Sequence, residues 1–191
     1  MSPRSSDQWD RIREEKRGII LETALELFAN RGYHGTTIST IAKEAGISKG
    51  LIYNYFDSKE TLLFEIISRG MTELTRDLDV SGSEPLTEEK LHNYIEITFH
   101  KLKINTKFYQ LFFSLIIQPQ VLTLFQENFF SQILPMMNLL EKYYAGKGED
   151  EPKAKAYLFV AVLDGVGMDY IAGAEEYPLE KIKEMILKMF V

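Results

Sequence analysis

The stretch "TTISTIAKEAGISKGLIYNYF", residues 36–56, constrains the fold of this chain more than any other. Ile38, Ile41, Ala42 and Ala45 recur at i, i+3, i+4 and i+7, the spacing of one helix face. Gly46 stops that helix, and Thr37 and Ser48 are N-cap residues for it and for a second one. In the second helix only Ile52 and Phe56 point inward. Its remaining positions hold Lys49, Gly50, Leu51, Tyr53, Asn54 and Tyr55. Two short helices joined by the four-residue turn "AGIS" form a helix-turn-helix. A purely structural helix would not present so many polar and aromatic groups. A helix laid in the major groove of DNA would, with its N-terminal half at the base edges.

Each of these residues has a matching chemistry. Gly50 allows close backbone approach. Lys49 reaches a guanine edge or a phosphate, Asn54 a base edge or a phosphate, and Leu51 a thymine methyl. Tyr53 and Tyr55 offer hydroxyls to phosphates. Thr37 and Ser48 sit at helix N-termini, which favour anions. Lys59, at the start of a following helix, adds a phosphate contact. Most such contacts position the protein rather than read sequence. The plainer reading is a helix pair that only packs, and the charge balance lends it weight. Residues 1–60 hold nine Lys+Arg against nine Asp+Glu, so the formal charge of −6 lies entirely in the remainder. A neutral front and an acidic back suggest two modules with different partners.

No strand pattern interrupts the rest of the chain. Residues 1–9 read as a disordered tail. A helix from about Trp9 to Arg31 buries Ile20, Ala24, Leu27 and Phe28, and Gly32 ends it. Asp57 caps a fourth helix, with Glu60 completing a capping box. That helix runs to about Arg76, with Leu63, Phe64, Ile67 and Met71 on its apolar side. Residues 79–90 break the pattern. Further helices are expected at 87–104, 106–117, 120–145, 153–173 and 178–190, with Pro135 kinking or dividing the 120–145 segment. The chain thus reads as all-α with about nine helices. The expected organisation is a tail (1–9), a helix-turn-helix DNA-binding domain (10–57) and a helical body (58–191). The chain has no Cys, which fits a reducing cytoplasm. It shows neither a signal peptide's apolar core nor ~18 uninterrupted apolar residues, so no membrane association is expected.

The run "LFANRGYHGTTISTIAKEAGISKGLIYNYF" followed by "SKE" resembles the DNA-binding domain of the tetracycline-repressor (TetR) family, over about residues 17–67. The resemblance implies a homodimeric, all-helical bacterial repressor. It implies a three-helix head contacting DNA through Thr37, Ser48, Lys49, Gly50, Tyr53, Asn54, Tyr55 and Lys59. It also implies a C-terminal body that binds an effector and dimerises.

The body is unusually aromatic. Large, flexible side chains can line an adaptable apolar pocket. With the resemblance, an effector pocket is expected from Phe99, Phe108, Phe112, Ile116, Phe129, Met136, Asp164 and Met168; ordinary core is the plainer alternative for each. The segment "AKAYLFVAVLDGVGMDYIAGA" (154–174) is apolar nearly all round, as a helix buried on several sides would be. With 179–190 it resembles the family's C-terminal helix pair. That implies a dimer interface through Leu158, Val162, Gly165, Ile182, Met185, Ile186 and Met189. His92, Glu96 and His100 share a helix face but are spaced too widely for one compact metal site.

The function expected is a regulator that binds a palindromic operator as a dimer and is released by a small apolar or amphipathic effector. No cofactor or metal is called for. An enzyme in the helical body would need a nucleophile–base pair or a phosphate loop, and the sequence offers neither. An interaction or carrier protein with an inactive DNA head remains the other alternative.

Overall fold

A computed structural model describes residues 6–78, 84–173 and 176–191, with the side chains of 6, 7 and 126–130 outside the description. The described residues form nine α-helices and no strand. These are α1 (Ser6–Arg31), α2 (Ile38–Glu44), α3 (Lys49–Tyr53), α4 (Lys59–Thr75), α5 (Glu88–Ile104), α6 (Thr106–Ile116), α7 (Pro119–Gly146), α8 (Pro152–Ala172) and α9 (Leu179–Phe190). They fall into two compact units. The first comprises the described residues up to Arg69 together with Ser114–Leu124; the second comprises Gly70–Phe113 and Phe125–Val191. This division falls within α4.

The first unit gathers the apolar faces of four helices. Ile20, Ala24 and Phe28 of α1 meet Ile41 of α2, Ile52 of α3 and Leu62 and Leu63 of α4, all less than 2% exposed. Each large side chain of this set gains roughly 1.5–3 kcal/mol from burial. The turns are set by local chemistry. Gly32 and Gly46 adopt φ of 77° and 65°, which side chains with a Cβ resist. Thr37 Oγ1 accepts from Thr40 N at 3.1 Å, and Ser48 Oγ from Leu51 N at 3.2 Å, as N-caps do.

Several sequence expectations need correction. α1 already begins at Ser6, so residues 6–9 are helical; the rest of the expected tail lies outside the described residues, as do 79–83. The cap of α4 is Ser58, whose Oγ accepts from Thr61 N at 3.1 Å, and not Asp57. Glu60 therefore closes no capping box. Its carboxylate receives its own backbone N–H and the Tyr33 hydroxyl, which hold it below the usual range. Phe64 is 40% exposed, and Leu62 and Ile66 take its place inside. α7 is assigned as one helix through Pro135.

The second unit is built around α5, α8 and α9, with Leu91, Ile95, Ala156 and Phe159 fully enclosed. Phe159 meets the Phe190 ring edge-on at 5.2 Å, joining α8 to α9. Around this core α8 departs from expectation. Among its buried residues are only Ala156, Phe159 and Gly167, while Tyr157 and Leu158 are more than half exposed. One chain simply lacks enough surface to cover an all-apolar helix.

Candidate nucleic-acid interface

α3 is only five residues long, so its position is imposed by its neighbours. Ile52 is fully buried and Phe56 nearly so, and these two anchors turn the opposite surface outward. On that surface Ser48, Lys49, Gly50, Tyr53 and Asn54 are exposed, and Leu51 and Tyr55 are half-buried. Thr37 is exposed at the start of α2. The Lys49 ammonium lies 5.8 Å from the Tyr53 ring centroid, and the two form one cationic, aromatic patch. Gly50 has an unstrained backbone, and a Cβ built on it meets nothing within 4 Å. Nothing in the chain itself requires a glycine there.

The expected phosphate contact of Lys59 takes a different form. Its Nζ donates to the carbonyls of Tyr33 (3.0 Å) and Thr36 (3.1 Å) and sits 4.2 Å from the Tyr33 ring centroid. Two of its three N–H donors hold the 33–36 loop, which leaves one for a phosphate. Sequence periodicity gave no sign of this clamp. Thr36, fully buried, donates its hydroxyl toward the Leu27 (3.2 Å) and Gly32 (3.0 Å) carbonyls. Tyr33 N donates to Gln118 Oε1 at 3.1 Å, and Gln118 Nε2 donates to the Phe28 carbonyl at 2.9 Å. Gln118 lies 85 residues from Tyr33 in sequence, a separation that no local pattern reports. A Cβ on Gly35 would lie 2.6 Å from the Arg31 carbonyl oxygen, so this loop tolerates only glycine there. His34 is exposed beside it.

The neutral charge of the front third conceals a segregation. Arg31 pairs with Glu44 at 3.5 Å, and Arg17 with Glu65 at 3.1 Å. Lys43 and Lys49, on or beside the outward surface, have no ion-pair partner among the described residues. With Glu44 engaged by Arg31, Lys43 and Lys49 leave a locally cationic face beside α3 despite a net charge of zero.

The residues expected around an effector are only partly brought together. Phe108 stacks on Phe112 with centroids 5.8 Å apart and planes 7° apart. Phe99, Phe112 and Met136 are buried, whereas Met168 is 40% exposed. Ile116 belongs to the first compact unit, and the side chain of Phe129 lies outside the described residues. Two cavities among the described residues have other linings. One is lined by Glu84, Pro85, Lys90, His92 and Asn93, and another by Leu139, Lys142, Tyr143 and Lys147. Of the face His92–Glu96–His100, both histidines are exposed and Glu96 accepts from Lys183 at 2.6 Å.

Asp164 keeps part of its side chain in solvent, yet surrounding protein atoms displace enough water to raise its carboxyl from 3.8 to about 6. The folded state then binds a proton more readily than the unfolded chain. Stability falls as pH rises through that window, and the cost is complete above it. Asp164→Asn should raise Tm at about pH 7.5 and leave it nearly unchanged at about pH 4. An equal shift at both pH values would refute this.

Of the residues expected at a dimer interface, Leu158 (52%), Met185 (63%) and Met189 (55%) are strongly exposed, and Gly165 is exposed between them. Val162 and Ile182 are half-buried. Ile186 is the exception: it is 3% exposed, held in its own chain's core. On a short amphipathic helix, residues one position apart face different sides, so Met185 and Ile186 serve different surfaces.

Comparison with known proteins bears directly on the helix-turn-helix. The sequence profile described as "Bacterial regulatory proteins, tetR family" matches residues 20–66. Over 77 residues the chain is 53% identical to the uncharacterized HTH-type transcriptional regulator YuxN of Bacillus subtilis (strain 168), covering 39% of this chain and 26% of that one. Over 112 residues it is 30% identical to the HTH-type transcriptional activator FasR of Mycolicibacterium smegmatis (strain ATCC 700084 / mc(2)155), covering 57% and 51%. The matches thus span about a quarter and about half of those relatives. The body is likened through its fold. The SmeT–triclosan complex superposes with a TM-score of 0.73 at 20% identity, over 92% of this chain and 90% of the other. Residues 20–66, which hold α2, α3 and their buried anchors, thus match the tetR family of bacterial regulatory proteins, and the chain as a whole shares the fold of the SmeT–triclosan complex.

Proposed function

We propose that this protein is a DNA-binding transcriptional regulator that grips an inverted-repeat operator as a homodimer and is released by a small apolar or amphipathic effector. It acts as a repressor where its operator overlaps a promoter. The observation that carries the reading is the outward face of α3, where Lys49, Gly50, Tyr53 and Asn54 are exposed around two buried anchors. Thr37, Ser48, Leu51, Tyr55 and the remaining donor of Lys59 complete the contact set. Exposed Leu158, Met185 and Met189 supply an apolar face for a second copy. SmeT is known in a complex with triclosan, which supports a small-molecule ligand for this chain.

The effector acts by binding the released conformation more tightly, and DNA then weakens effector binding by the same factor. Helix α4 is the transmitter. It carries Lys59, which holds the 33–36 loop, and Gly70, on which the Phe112 ring rests. An effector that displaces the Phe108–Phe112 stack shifts α4, and with it the head.

Selection of bound duplexes from a randomised pool tests the reading: an inverted repeat should be enriched. Gly50→Ala sharpens it. Within the chain the new methyl meets open space, and alanine is favoured over glycine in a helix by ~1 kcal/mol. Folding stability should hold or rise while operator affinity falls at least tenfold. Unchanged affinity would show that DNA does not approach this face.

A further inference from the structure

We propose that the face of α1 bearing Trp9, Arg13 and Lys16 is a second DNA-contacting element, gripping backbone phosphates beside the groove that receives α3. It rests on the DNA-binding reading and extends the contact surface to a helix outside the helix-turn-helix.

The core-facing stripe of α1 is Ile20, Ala24 and Leu27. Traced toward the N-terminus at helical spacing, the same stripe continues as Arg17, Lys16, Arg13 and Trp9. A stripe that begins in Trp, Arg and Lys and then turns apolar has run beyond the core and faces something charged. Two contacts fix where it runs. The Arg17 guanidinium lies 5.8 Å from the Phe56 ring centroid, and that of Arg13 lies 5.9 Å from the Tyr55 ring centroid. The first turns of α1 therefore pass along the C-terminal end of the recognition helix.

The charges on this stripe are unequal in their freedom. Arg17 is neutralised by Glu14 and Glu65, and Glu14 also reaches Arg69 at 3.9 Å. Arg13 and Lys16 have no carboxylate partner among the described residues. Glu15 lies off the stripe by helical position, whereas Asp10 lies on it one turn before Arg13, with no ion pair to Arg13 among the described residues. Arg13 is exposed, and its planar fork is oriented by a ring that is itself part of the recognition surface. An arginine so placed suits a phosphate oxygen, which accepts two parallel N–H bonds from it. Trp9, one turn earlier and 56% exposed, is set to lie against the sugar–phosphate edge.

The test uses the full chain and the duplex recovered from the randomised pool. For wild type, Arg13→Gln and Lys49→Ala, log Kobs is followed against log salt. Each lost phosphate contact should lower the slope by ~0.9, so Arg13→Gln should show that loss with base preference unchanged. Trimming the duplex by about half a helical turn at each end should abolish the difference between wild type and Arg13→Gln. Trp9 is the only tryptophan, so quenching by acrylamide reads this element directly. Full-length duplex should protect it several-fold and trimmed duplex should not. If Arg13→Gln keeps the wild-type slope while Lys49→Ala weakens binding, the α1 contact is refuted and the DNA-binding reading stands. If neither substitution changes binding, both fall.

Discussion

Lys101→Met should lower folding stability by about 3 kcal/mol, within the range seen when one partner of a buried ion pair is removed. Lys101 is only 9% exposed, at the interface of α5 with the end of α4. Its ammonium lies 3.1 Å from Glu73 Oε1, donates to the Glu73 carbonyl at 3.3 Å and is hydrogen-bonded to Asp77. Without the ammonium, Asp77 and Glu73 stand side by side with only Arg76, at 3.9 and 3.3 Å, to offset their repulsion. A total stability of about 5–15 kcal/mol makes such a loss plain in urea unfolding at fixed protein concentration, with the m-value unchanged. Replacing Lys101→Met together with Asp77→Leu should recover most of it, because the carboxylate that remains, Glu73, still pairs with Arg76 at 3.3 Å. A loss under ~1 kcal/mol for the single variant would mean that water reaches the cluster as freely as at a surface pair.

Phe112→Ala should cost about 3–5 kcal/mol, the usual range for emptying a fully buried aromatic position. The ring is inaccessible to solvent and stacks on Phe108. The ring also lies against Gly70, where an added Cβ would stand 2.0 Å from Phe112 Cε2. Gly70→Ala alone should therefore destabilise by about 1–3 kcal/mol through overpacking, less the ~1 kcal/mol that alanine gains in a helix. In the double variant the new methyl enters the space the ring vacated, so the two costs should fall well short of their sum. Strict additivity would show that ring and glycine do not meet. The same contact makes Phe112 a core residue first. Any effector that enters the aromatic cluster must move it, and it touches the helix that carries Lys59.

The outward face of α3 was largely legible in the sequence because its determinants are local. Capping by Thr37 and Ser48, the stops at Gly32 and Gly46 and the inward pair Ile52 and Phe56 all act within a few residues. The α4 cap was misplaced by one residue, since Asp57 and Ser58 are both good caps and only the geometry of the preceding turn chooses between them. Phe64 was assigned inward because four apolar residues fitted one stripe; Leu62 and Ile66 fit a neighbouring stripe nearly as well, and the packing partner decides.

By itself the sequence determined the all-helical class, the order and approximate limits of the helices, and the residues that α3 turns outward. Periodicity and capping are short-range physics, and each can be read in a window of a few turns. Only the tertiary structure decided which cations are neutralised and which are free, that Lys59 and Thr36 clamp a loop, that Gln118 reaches Phe28 and Tyr33, and that α8 keeps much of its apolar surface exposed. These are contacts between residues tens of positions apart. Their energies depend on distance and on exclusion of water, which the order of residues along the chain does not record.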